Sequence, residues 1–244
     1  MTAVATSIDG KVATVRFDRG GKANALNAEL IRELEAAAIQ VGRRADVASV
    51  VLTGAATIFA AGVDLKDEQL WKTGAGDVER AQAMNAGARM TAAWRQVPQP
   101  VIAAIEGPAI GGGAILALTA DFRVMAASSY FRFPEVRLGM TLGWGGLPLL
   151  VERVGSARAK RILFCDEKIG AEEALSLGLC DRIVDDGTAV AAACAWAGEL
   201  AEIPALALRM TKSAIDGHAR QNWAGWSEAD QFYLSRRILE EASR

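Results

Sequence analysis

Three short stretches hold residues whose types and spacing could do chemistry. In PAIGGGAILALTA, Pro108–Ala120, three consecutive glycines separate an apolar strand-like run from an apolar helix-like run. Helix N-termini leave amide N–H groups unpaired, and glycine lets an anionic oxygen approach them. In FAAGVDL, Phe59–Leu65, small residues again open the backbone, and Asp64 is placed to cap the next turn and orient the amides before it. Two distant loops, each presenting one main-chain N–H, make a two-donor oxyanion site. The third stretch, FRFPEVRLGM, carries Glu135. A buried carboxyl there would have its pKa raised toward the range useful for proton transfer. Each stretch also has a plain structural reading: glycine as a packing spacer, FAAGVDL as a strand-to-helix loop, and Glu135 as a surface carboxylate paired with Arg132 or Arg137. On residue types alone, the plain reading of FAAGVDL and of Glu135 is the stronger one. A phosphate cradle is the weaker functional reading, because neither G-x-G-x-x-G nor G-x-x-x-x-G-K-[ST] occurs.

Other polar residues compete for roles. Glu106 ends an apolar run just before the glycines, where it reads as an arginine partner or turn cap, with substitute acid as the sharper option. Asp67 and Glu68 read as solvated, with a lid carboxylate as the alternative. His218 is the single histidine, which leaves little room for a serine–histidine or metal site. It reads as a surface or interface residue.

These groups need a frame. Lys11–Phe17 alternates, with Ala13, Val15 and Phe17 on one face, as a half-buried strand does. Asp18–Ala25 reads as a loop. Asn27 is placed to cap a helix whose apolar positions are Leu30, Ile31, Leu34, Ala38 and Val41. Val47–Leu52, Val101–Ile105 and Phe122–Ala126 are continuous apolar runs, the mark of strands covered on both faces. Thr53–Asp64 reads as loop, Lys66–Gly76 as mobile or lid-like, and Glu79–Gln96 as a helix. Strands alternating with helices imply an α/β fold with parallel pairing. After Gly155 the chain reads as mostly helical. A boundary near Ala189 divides it into a core, 1–188, and a C-terminal helical segment, 189–244.

Bulk properties narrow the classes. The chain has 244 residues, a net charge of −2, 51% hydrophobic and 23% charged residues, so it is globular in composition and carries no basic run for nucleic acid. Cys165, Cys180 and Cys194 form no framework spacing and read as reduced thiols. The opening MTAVATSIDGKVATV has no apolar signal core, so the expectation is a cytoplasmic protein. Val101–Ala120 matches a membrane span in length, but Glu106, Pro108 and the glycines argue for a strand, a turn and a helix start.

Taken in order, FAAGVDL, PAIGGG, ADFRVMAASSYFRFPEVRLGM, GGLPLLVERVGSARAKRILF and EEALSLGLCDRIV resemble the crotonase, or enoyl-CoA hydratase/isomerase, superfamily. The resemblance runs from about Val12 to Val184 and on into the later helices. It implies stacked ββα turns forming a superhelix, a C-terminal helical trimerisation region, and a homotrimer or hexamer. It implies an acyl-CoA thioester as ligand, with no cofactor beyond the substrate's own CoA, no metal, no nucleic acid and no membrane. By motif position the thioester oxygen falls to the N–H groups of Val63 and Gly112. Ala25, Ala61, Asp64 and Leu65 then contact adenine and pantetheine, Gly111 gives the middle glycine room, and Pro134, Gly143 and Trp144 line the acyl side. Lys22 and Lys212 are candidates for the CoA phosphates, although solvated lysines are commoner. Trp223 and Trp226 are spaced for the C-terminal core or a subunit contact. Many family members continue past the segment matching QFYLSRRILEEASR, so a neighbour-supplied lid is not part of the expectation.

The resemblance also exposes a departure. Family hydratases carry two glutamates, and the position of the first, two residues after the glycines, is Ile115 here; the second is Glu135. Holding a water and delivering a proton divides well between two carboxylates, whereas moving a double bond from the 3- to the 2-position needs one. The resemblance therefore favours isomerisation with Glu135 as the single acid/base. Hydration with one glutamate, helped by Glu106 or a lid acid, stands beside it. So do a non-catalytic acyl-CoA-binding protein and a thioester hydrolase or decarboxylase on the same oxyanion site.

Overall fold

The computed structural model describes residues 2–71 and 76–220. Its strands are β1 (Val4–Asp9), β2 (Val12–Phe17), β3 (Ser49–Thr53), β4 (Val101–Ile105), β5 (Pro108–Ile110), β6 (Phe122–Ala126), β7 (Tyr130–Arg132), β8 (Ile169–Gly170) and β9 (Arg182–Val184). Its helices are α1 (Ala28–Gly42), α2 (Glu68–Trp71), α3 (Asp77–Met84), α4 (Ala86–Arg95), α5 (Gly112–Leu118), α6 (Gly146–Cys165), α7 (Ala171–Leu177), α8 (Ala189–Ala201) and α9 (Ala205–Arg220). A larger sheet runs β1-β2-β3-β4-β6-β9 and a smaller one runs β5-β7-β8. Beyond the β1–β2 hairpin the larger sheet is parallel, with Val15 opposite Leu52, Leu52 opposite Ala103 and Ala103 opposite Arg123.

The alternation in β2 explains which side is covered by what. Ala13, Val15 and Phe17 point into the main core with Val50, Leu52, Ala103 and Met125, under α1 and α4. The opposite face, Val51, Ile102, Ala104 and Val124, meets Ala189, Ala193 and Ala197 of α8. Alanine at every fourth position gives that helix a shallow ridge that can lie close on the strands. Buried Ser49 donates to the Ala197 carbonyl at 2.7 Å. α8, which begins at Ala189, thus covers the second face of the sheet.

The expected α1 forms, and Asn27 Oδ1 accepts from the Leu30 amide at 2.9 Å. The membrane-length run Val101–Ala120 is strand β4, a turn, β5 and α5, as the glycines imply. Among the described residues no single helix is long and apolar enough to cross a membrane. Glu79–Gln96 is two helices rather than one, with Asn85 ending α3 and leading into α4. The short strands β5, β7, β8 and β9 were not legible from periodicity, because two or three residues contain too little alternation to detect.

Candidate active site

Thr53–Asp64, expected to be loop, is a ribbon stitched on both sides. Leu26 bridges to Val63 and Ala60 to Ala109 in parallel fashion. The Leu26 amide donates to Gly62 O at 2.8 Å and the Asp64 amide to Leu26 O at 2.9 Å, while the Ile110 amide donates to Ala60 O at 2.9 Å. In a parallel bridge the bonded groups are those flanking the central residue, which turns the Val63 N–H away from Leu26. Among the described residues neither the Val63 amide nor the Gly112 amide, the first of α5, has a hydrogen-bond acceptor. The two loops touch: a methyl added at Gly62 would lie 3.5 Å from the Gly112 nitrogen.

Each glycine of the triplet meets a different neighbour. Gly111, with φ +51°, caps α5, and a Cβ there would lie 2.8 Å from Glu135 Oε1. A Cβ on Gly112 would lie 2.4 Å from the Trp144 ring, and one on Gly113 would lie 2.6 Å from Ala60. Close packing on three sides holds the N-terminus of α5 in place, and the Gly112 N–H stays without a partner.

Glu135 is 9% exposed, and its Oε2 is buried with no hydrogen-bond partner among the described residues. Burial pushes its pKa up to about 7, with a further push from the negative charge of Asp166 and a partial offset from a backbone amide. The surface-carboxylate reading is thereby corrected. Arg132 is bonded instead to Asp166, through Nε at 2.9 Å and Nη2 at 2.6 Å.

The competing acids have other partners. Glu106 accepts from the Gly187 and Ala189 amides at 3.0 and 2.8 Å, capping α8 on the far side of the sheet, so it is neither an arginine partner nor a substitute acid. Asp67 accepts from the Ala28 amide at 2.6 Å and the Gln69 amide at 2.9 Å. It ties the segment after FAAGVDL to the start of α1 and is not solvated. Glu68 is exposed. Residues 72–75 of the expected lid-like stretch lie outside the described residues.

The remaining expected site residues fall around the same loops. Ala25 and Asp64 are joined by Arg19, whose Nη1 donates to Ala25 O at 3.1 Å and to Asp64 Oδ2 at 2.6 Å. That contact holds the Asp64 carboxyl below its ordinary range, with Lys22 adding a smaller pull. The Ala61 amide donates to Ala23 O at 3.1 Å, and Leu65 is 54% exposed. Asp64 does cap the next turn, accepting from the Lys66 amide at 3.0 Å. Pro134 lies beside Gly111, and Gly143 O accepts from the Gly146 amide at 2.8 Å. Trp144 has φ +54°, and its ring fills the space between Gly87 and Gly112. Its carbonyl is held by Thr91 Oγ1 at 2.7 Å. Ile115 is buried and packs on Gly146 and Leu142. Lys212 is not free for a phosphate, because it donates to Asp121 at 2.5 Å and to Gln99 O at 3.0 Å. His218 is exposed on α9. Trp223 and Trp226 lie outside the described residues. Among the described residues no cluster of three histidine, cysteine or acidic side chains is arranged to hold a metal.

The profile of the enoyl-CoA hydratase/isomerase family matches residues 7–243. The chain belongs to the enoyl-CoA hydratase/isomerase family. It is 35% identical over 232 residues to a Mycobacterium tuberculosis protein named "Probable enoyl-CoA hydratase echA6", covering 94% of this chain and 90% of that one. It is 32% identical over 209 residues to the short-chain-enoyl-CoA hydratase of Clostridium acetobutylicum, covering 85% and 78%. The solved enoyl-CoA hydratase of Bacillus anthracis superposes with a TM-score of 0.83 at 29% identity, covering 98% of this chain and 90% of that one.

For this member of the enoyl-CoA hydratase/isomerase family, the fold explains how distant segments meet. β4 and β5 deliver the glycines, the ribbon after β3 delivers Val63, and the turn after β7 delivers Glu135. Sequence reasoning missed Arg19, Asn24, Gly87 and Asp166. Asn24 is buried and donates to Phe17 O and Phe59 O at 3.2 and 2.8 Å, pinning the loop of Ala25 to the ribbon of Ala61. The asparagines and charges near DRGGKANA were visible, but their partners lie some 35 to 45 positions away.

Proposed function

We propose that this chain shifts the double bond of a 3-enoyl-CoA to the 2-position, with Glu135 as the single acid/base. The observation that carries the reading is the buried Glu135 carboxyl, with an oxygen unpartnered among the described residues, against Gly111, which precedes the Gly112 amide that has no acceptor among them. The thioester oxygen is held by the Val63 and Gly112 N–H groups. Glu135 as carboxylate takes a proton from C2, and negative charge moves onto that oxygen as a dienolate. The two amides stabilise the charge as it develops. The protonated Glu135 then returns the proton at C4, leaving the double bond between C2 and C3. A carboxyl with a pKa of about 7 serves both halves, since it is neither too weak a base nor too weak an acid at neutral pH.

Ile115 supports isomerisation over hydration. It is buried within α5, the helix that the glycines open, and offers no lone pair to hold a water. The Trp144 ring packs against Gly112 at the start of the same helix. Ala25, Ala61, Asp64, Leu65 and Lys22 lie where the CoA moiety runs, and no cofactor beyond that CoA enters the reaction. The functional unit is a homotrimer or a dimer of trimers in the cytoplasm. The names of the relatives favour a second reading, hydration of a 2-enoyl-CoA by Glu135 alone.

The test offers purified protein 3-enoyl-CoA and 2-enoyl-CoA separately, with Glu135→Gln as control. Isomerisation that disappears in the variant is the expected result. Turnover of 2-enoyl-CoA to the 3-hydroxy product alone establishes the second reading. CoA-ester binding with no turnover of either overturns both.

A further inference from the structure

Lys22, Ala23 and Asn24 wind against the usual hand, with φ of +50°, +51° and +51°. Two bonds close them into one left-handed turn: the Asn24 amide donates to Gly21 O at 2.9 Å and the Ala25 amide to Lys22 O at 3.1 Å. In this region a side chain crowds its own backbone, so residues other than glycine visit it singly, and asparagine most readily. Three in succession persist only where the surroundings hold them. Ala23 is exposed and brings no packing of its own. The holding group is the side chain of Asn24, a residue 2% exposed. Its Nδ2 donates to Phe59 O at 2.8 Å and to Phe17 O at 3.2 Å, and its Oδ1 accepts from the Arg19 amide at 3.0 Å. One buried amide thus joins the end of β2, the loop and the ribbon after β3. The Phe17 and Phe59 rings meet edge to face at 5.1 Å, so the two carbonyls are themselves fixed.

The turn sets how the loop meets the ribbon. Ala23 O accepts from the Ala61 amide at 3.1 Å, and Leu26 bonds Gly62 O and the Asp64 amide, the groups that flank Val63. Arg19, whose own amide Asn24 holds, adds a tie from its guanidinium to Ala25 O and Asp64. Backbone groups along an extended segment alternate sides, so a slip of one residue would bring the Val63 N–H onto the loop. A right-handed turn over 22–24 would redirect the chain and carry Ala23 O and Leu26 off these partners. We propose that Asn24 is a positioning residue for the Val63 amide: by locking the left-handed turn, it fixes the register of Leu26 on the ribbon and leaves the Val63 N–H open to an anionic oxygen. The inference rests on the reading of Val63 and Gly112 as donors to the thioester oxygen.

The readout is the carbonyl stretch of butanoyl-CoA, labelled with carbon-13 at the thioester carbon and bound to the full chain, taken by infrared difference against unlabelled ligand. Hydrogen bonds to that oxygen lower the frequency, and the parent is expected to lower it relative to free ligand. Asn24→Gly removes three side-chain bonds without penalising a left-handed backbone. Ala23→Val leaves Asn24 in place and puts a β-branched residue at a positive φ on an exposed site. Each is expected to cut the lowering by roughly half, since one of two donors loses its aim. Ser49→Ala, which removes a buried bond to α8 on the far face of the sheet, should lower the melting temperature and leave the band in place, so loss of stability alone does not mimic loss of aim. A merely structural Asn24 would behave as Ser49 does. The parent band position in Asn24→Gly, or in Ala23→Val if the first variant does not fold, overturns the proposal. No lowering in the parent itself overturns the reading of the two donors and the proposal with it, which keeps the two failures distinct.

Discussion

Glu106 and Glu135 are 7% and 9% exposed, and both stand just past a strand that leads toward the candidate site. Their surroundings differ in one respect. Glu106 receives two main-chain N–H groups and holds the start of α8 on the sheet. Glu135 has a buried oxygen that receives none among the described residues. Leaving a buried polar atom unpaired costs free energy that a folded chain ordinarily avoids. Equal burial therefore gives opposite meanings: the satisfied glutamate fixes structure, and the unsatisfied one is held ready for a partner that arrives with the substrate.

The largest expected effect separates the two directly. Glu135→Gln should lower kcat/KM for isomerisation by about 10³-fold, in line with loss of a general acid/base, with little change in CoA-ester affinity. Glu106→Gln should leave kcat/KM within a few-fold and destabilise the fold by about 1–3 kcal/mol, because an amide can accept at only one of the two positions. Thermal melts and steady-state rates on both variants check the crossing. Gly111→Ala comes next. Its new Cβ would strike the Glu135 carboxyl in a left-handed backbone, so kcat should fall by roughly tenfold to a hundredfold.

The pH dependence sharpens the contrast further. Glu135 must be ionised to take the C2 proton, so kcat/KM should rise with pH up to about 7 and level off above it. Stability runs the other way. The folded state binds the Glu135 proton more tightly than the unfolded chain does. Stability is therefore lost as pH rises from the ordinary glutamate value, 4.5, through about 7, amounting to about 3 kcal/mol at the alkaline end. Glu135→Gln should lack this loss, and its melting temperature relative to the parent should climb across that window. The smallest effect is at a cap far from the chemistry: Asn27→Ala should cost about 1 kcal/mol in denaturant unfolding and leave the pH profile unchanged.

Legibility in the sequence followed the range of the interactions. The β2 alternation, the apolar runs of β3, β4 and β6, and the Asn27 cap are local and were readable. The three loops were readable as candidates, and the family resemblance put them in one place. Their partners were not. Nothing local to Glu106 says that its acceptors serve the Gly187 and Ala189 amides more than eighty residues later. Nothing local to Arg132 says that Asp166 will claim it, which is why pairing with Glu135 looked the better structural reading. The triplet itself was half-read. Small neighbours around the Gly112 amide are readable from the triplet, while the Trp144 ring packed against it depends on α4 offering Gly87.

The central claim is that one carboxyl performs both proton transfers. Deuterium placed at C2 of a 3-enoyl-CoA, followed through a single turnover in ordinary water, tests it most directly. The account predicts 2-enoyl-CoA carrying part of that deuterium at C4, and no such product from Glu135→Gln. A product hydroxylated at C3, or turnover by the glutamine variant at the parent rate, would contradict it.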